Sequence, residues 1–128
     1  MKVLTITLMI LRLAVLVALI FGILFWLNIA TNLIPVHMLI GIIVVLSLWI
    51  IGLVQGFMKG GSLPFAGLTF VVGLALAIVG LYQQQWLIGP AHWVIQVIHL
   101  LLGLSAIALA EMIVRLTKER VKAQQAVS

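Results

Sequence analysis

Two long uncharged stretches set the pattern of the chain. No Asp, Glu, Lys or Arg lies between Arg12 and Lys59, and none lies between Lys59 and Glu111. A membrane-spanning helix needs about 20 apolar residues, so each stretch has room for two spans. Polar and turn-forming residues divide them: Asn28 to Pro35, then Lys59-Gly60-Gly61-Ser62, then Tyr82-Gln83-Gln84-Gln85 leading to Gly89-Pro90. Proline is best tolerated in the first turn of a helix, so Pro35, Pro64 and Pro90 mark starts. The pattern predicts helices at 3–27, 36–58, 63–82 and 91–116, an all-α, four-transmembrane-helix bundle. Residues 1–116 form the transmembrane domain. Residues 117–128 carry the fourth helix on as a basic, solvated tail with Lys118, Glu119, Arg120 and Lys122.

The first apolar stretch is too long for a signal peptide, contains Arg12 and lacks a small-residue cleavage site, so it reads as the first span. All seven basic residues fall on the side of the two termini and the central loop; the other two loops have none. The positive-inside rule then puts both termini in the cytoplasm, with Trp26 and Trp86 near the outer boundary. The expected host is a bacterial inner (plasma) membrane.

Composition sharpens this picture. Only 7% of the 128 residues are charged, against about 25% in a soluble domain. No cysteine is present, which excludes disulfides, thiolate metal sites and iron–sulfur clusters. The net charge of +5 sits at membrane boundaries rather than in one patch, so no nucleic-acid partner is expected.

Three histidines are the candidate chemistry. Pro35-Val36-His37 and Pro90-Ala91-His92 repeat one local pattern, and His99 follows seven residues later. Each half of the chain thus reads as an apolar helix, a polar loop, a Pro-x-His start and a second apolar helix, which predicts two repeated helical hairpins. A spacing of seven returns to nearly the same helix face. His92, Gln96, His99, Gly103, Ala106 and Ala110 therefore form one stripe on helix four, and His37 and Gly41 lie on one face of helix two. Polar and small residues face the interior of membrane bundles; glycines there allow close helix contact or room for a flat cofactor.

Depth can be counted from the charges. His37 lies 22 residues before Lys59 and His92 lies 23 before Arg115, which sets these two at similar depth near the outer surface. His99 lies ~10 Å deeper, from ~1.5 Å per residue. Two histidines on facing helices are what a six-coordinate haem iron requires. Matched depth favours His37 with His92, while distance from the membrane edge favours His99, so the pair stays open. The outer loops offer no Lys or Arg for haem propionates. Helix N-termini and side-chain donors such as Asn32, Tyr82 and Gln96 are the alternatives, and they suit a quinone carbonyl equally.

The segments His37-Met38-Leu39-Ile40-Gly41 and His92 through Gly103 resemble the histidine-bearing helices of small membrane b-type cytochromes. They are also similar to one half of haem A synthase, a four-helix unit with ligating histidines on its second and fourth helices. The resemblance covers helices two and four only. It implies haem b held by His37 and either His92 or His99, two of the three histidines. The acidic residue expected near the synthase's histidines is missing, so synthase activity is not implied.

The expected function is therefore haem b binding for electron transfer with quinone, alongside other membrane or redox subunits in the lipid bilayer. One rival is a non-catalytic accessory or structural subunit of a larger membrane complex. Another is a small transporter or channel with Glu111 in a proton path. A zinc or copper site shared by His37, His92 and His99 is disfavoured by the depth offset and by the lack of a carboxylate on that side. Glu111 is instead expected to bridge to Arg12, joining helices four and one.

Overall fold

The computed structural model describes residues 1–128 and is all-helical. Four helices follow in order: α1 (Lys2–Trp26), α2 (Ile34–Phe57), α3 (Leu63–Tyr82) and α4 (His92–Val127). Two short 3-10 turns, Thr31–Leu33 and Gln83–Gln85, introduce the last approach to α2 and close α3. All four helices are long and apolar enough to cross a membrane. α2 and α4 touch each other and both flanking helices, whereas α1 and α3 do not meet.

The predicted starts correspond to local chemistry. Pro35 and Pro64 occupy the first turns of α2 and α3, where a missing N–H costs nothing. Ser62 caps α3 by accepting from the Phe65 N–H at 3.5 Å. Pro90 differs: it lies outside the helix, and α4 begins two residues later at His92. α4 also does not stop at the membrane edge. It runs 36 residues, or ~54 Å at ~1.5 Å per residue, so the basic tail is its last turns.

That tail is anchored to the α2–α3 turn. Arg120 donates to the Gly60 carbonyl at 3.3 Å and lies 5.8 Å from the centre of the Phe65 ring. The turn itself is held by Gln55, which is fully buried. Its amide donates to the carbonyls of Gly52 (3.0 Å) and Ser62 (2.8 Å) and accepts from the Ser62 N–H (3.1 Å). Gly60 supplies the positive φ of 80° that this reversal needs.

The core is strongly one-sided. Of 22 buried residues, all except Leu76 and Ile95 lie at mid-height or in the half of the bundle that carries the termini and the α2–α3 turn. Leu4, Leu8 and Leu11 of α1 meet Leu48 and Ile51 of α2 and Ala106, Ala110 and Ile113 of α4 there. Gly52 lets α3 approach so closely that a Cβ at this position would overlap Thr69 Oγ1. Toward the opposite end the helices keep contact through half-buried side chains. The expected Arg12–Glu111 bridge forms on the surface between α1 and α4. Arg12 Nε donates to one carboxylate oxygen and Nη2 to the other at 2.8 Å.

Candidate functional site

The three histidines separate into a pair and a single. α2 and α4 bring His37 and His99 together in the loosely packed half, with ring centroids 6.1 Å apart and planes at 65°. His92 is elsewhere: its Nδ1 lies 3.1 Å from the Trp86 carbonyl, where it closes the α3–α4 connection. No group of three or more His, Asp or Glu side chains is placed to share a metal ion, so the three-histidine site has no geometric basis here.

The depth count paired the wrong reference points. It equated Arg115 with Lys59, yet the residue that meets the α2–α3 turn is Arg120. From Arg120 back to His99 is 21 residues, and from Gly60 back to His37 is 23; the two rings are therefore level. The Pro-x-His likeness is correspondingly local. His37 lies one turn inside α2, whereas His92 is the first residue of α4.

One nitrogen of each ring lacks a partner. Nδ1 of His37 and Nδ1 of His99 are both buried and make no hydrogen bond. A buried nitrogen left unpaired costs about 1–3 kcal/mol, so the fold carries this cost at both rings. The surroundings are aromatic and small. Phe25 of α1 meets His37 edge-on at 5.4 Å and stacks on Phe21 at 5.9 Å. Each helix contributes one glycine. A Cβ on Gly22 would lie 4.0 Å from His37 Cε1, and one on Gly80 would lie 3.2 Å from His99 Cε1. Gly41 and Gly103, one turn deeper than the two histidines, have nothing within 4 Å of a built Cβ.

The remaining predicted contacts are more dispersed. Asn32 is exposed on the turn before α2. Tyr82 is exposed and stacks on Trp86 at 6.0 Å. Gln96 is half-buried on α4 between His92 and His99. None of the three hydrogen-bonds to either ring of the pair. Sequence reasoning did not single out Phe25 or Gly22. Their signal is weak, because an aromatic and a glycine three residues apart are ordinary in an apolar helix.

Fold and composition together define an integral membrane protein built as a four-helix bundle. Comparison with protein-family models, with curated proteins and with solved structures finds no match to this chain.

The residues present fit a haem in three respects. Two imidazoles come from facing helices. Two buried nitrogens lack partners. Open space adjoins Gly41 and Gly103. Two imidazoles on one ion, with metal–nitrogen bonds of ~2 Å, have ring centres roughly 6 Å apart, close to the spacing found.

Proposed function

We propose that this protein is a membrane-embedded haem b-binding electron carrier, in which His37 and His99 would hold the haem. The observation that carries the reading is the level pair of imidazoles between α2 and α4, each with a buried Nδ1 that lacks a partner. A bound haem supplies one-electron chemistry at its iron. The chain's own residues do the rest. His37 and His99 would each supply a nitrogen to hold the group, Gly41 and Gly103 would leave room beside them, and Phe25 would cover His37 on the α1 side. The N-terminal ends of α2 and α4 face the open end and offer free N–H groups to anionic propionates. Asn32, Tyr82 and Gln96 are the polar contacts for propionates or a quinone carbonyl. Electrons pass to or from a partner membrane subunit. On the positive-inside rule the termini face the cytoplasm of a bacterial inner membrane, with the histidine pair nearer the outer surface.

The test is the visible spectrum of detergent-purified protein, oxidised and then reduced with dithionite. A Soret band with sharp reduced α and β bands is expected. His37→Ala and His99→Ala lose the low-spin spectrum, while His92→Ala keeps it. Protein that stays colourless after expression with ample haem and reconstitution overturns the proposal.

One observation favours a second reading, a cofactor-free accessory subunit. Phe21, Phe25, His37 and His99 form a continuous string of ring contacts, which is also how rings pack for structure alone. That reading expects His37 and His99 substitutions to leave assembly of the larger complex unchanged.

A further inference from the structure

A second feature, independent of the histidine pair, lies on the surface between α1 and α4. A groove of about 310 Å³ is lined by Leu8, Arg12, Glu111, Val114, Arg115, Lys118, Glu119 and Lys122. Its deep end is the Arg12–Glu111 pair, whose side chains remain 53% and 41% exposed. Arg12 lies ten residues past Lys2, or ~15 Å along α1 at ~1.5 Å per residue. The groove therefore starts within the depth of the bilayer. It rises along α4 past Arg115 and Lys118 to Lys122, eleven residues beyond Glu111.

The charges divide unevenly. Arg12 engages both oxygens of Glu111, so that pair is satisfied internally. The remaining lining charges are three basic, Arg115, Lys118 and Lys122, against one acidic, Glu119, a net of +2 (3 − 1). None of these three cations forms a salt bridge; Arg12–Glu111 is the sole ion pair of the protein. The residues recur at 111, 115, 118 and 122, spacings of four, three and four that keep one helix face. Arg120 points elsewhere, to the Gly60 carbonyl and the Phe65 ring. The groove floor is apolar, formed by the buried Leu8 and Val114.

We infer that this groove binds the phosphate of an anionic phospholipid from the leaflet at the termini end. Arg115, Lys118 and Lys122 meet the headgroup, and its acyl chains stay in the surrounding bilayer. A lipid rather than a free anion is the occupant because the unpaired cations line a groove that starts within the depth of the bilayer and opens at its interface. Basic residues beside a membrane attract anionic lipid in this way.

The experiment is lipid titration of the full-length protein in detergent, read by native mass spectrometry, with phosphatidylglycerol, phosphatidylcholine and inorganic phosphate as separate probes. Phosphatidylglycerol is expected to bind more tightly than phosphatidylcholine, and inorganic phosphate is expected not to displace it. Lys118→Gln with Lys122→Gln should weaken phosphatidylglycerol roughly thirtyfold, about fivefold per basic residue. Arg120→Gln, outside the groove, should leave binding unchanged, and circular dichroism checks that each variant is folded. Equal binding of the two lipids, or an unchanged double variant, overturns the inference. Displacement by inorganic phosphate at matched concentration reassigns the groove to free anions and overturns the lipid assignment.

Discussion

Replacing His99 by leucine should make the cofactor-free protein more stable. Leucine has similar volume, keeps the apolar contacts with the neighbouring helices and carries no polar atom. His99 Nδ1 is buried without a partner, a cost of about 1–3 kcal/mol that the substitution removes. Against this stands the edge-on contact with the His37 ring at 6.1 Å, worth about 0.5–1.5 kcal/mol. The net expectation is a gain of about 1 kcal/mol in unfolding free energy. The assay is thermal or denaturant unfolding in mild detergent, followed by far-UV circular dichroism on protein prepared without haem. Adding haem should reverse the order. A ligand at a hundredfold excess over its Kd stabilises the native state by about 2.7 kcal/mol, and only the wild-type pair can collect that gain. A cofactor-free His99→Leu protein that is less stable than wild type by about 1 kcal/mol or more would refute the reasoning, since the nitrogen would then be contributing rather than costing.

Gln55→Met tests the α2–α3 turn. The change leaves the half-buried Ser62 N–H without an acceptor and should cost about 1–3 kcal/mol of stability, seen as a lower unfolding midpoint with the helix content of the folded protein unchanged. Arg12→Met strands Glu111 on the α1–α4 surface. It should lower the unfolding midpoint more than the double variant Arg12→Met/Glu111→Gln does, and a double-mutant cycle measures the coupling. Gly52→Val should force α3 away from α2, because its side chain would occupy the space of Thr69. Its effect is a drop in stability that Thr69→Ala partly restores.

The architecture was readable from the chain because it rests on long-range composition. Uncharged runs, turn residues and first-turn prolines located all four helix starts, and the ends of the first three, to within a few residues. The Arg12–Glu111 bridge was also accessible, as two isolated charges at similar depth on an apolar background have few alternatives to each other. The histidine pairing stayed open between His92 and His99. Matching Lys59 with Arg115 assumed that α4 leaves the membrane where its charges begin, whereas α4 continues and meets the turn at Arg120. A shift of five residues in that reference moves the partner of His37 from His92 to His99. Gln55 was missed for a different reason. One glutamine near the end of an apolar helix looks like an interfacial residue, and only the folded turn reveals that it satisfies three backbone groups.

The one-sided core has a consequence for how the protein opens. Close packing that stops partway along the bundle makes the termini half a clamp and the histidine half a pair of free jaws. Separation of the jaws breaks few buried contacts, so it is a sub-global fluctuation well below the energy of complete unfolding. Amide hydrogen exchange should therefore be graded along each helix, fastest beside the histidines and slowest around Leu48 and Ile113.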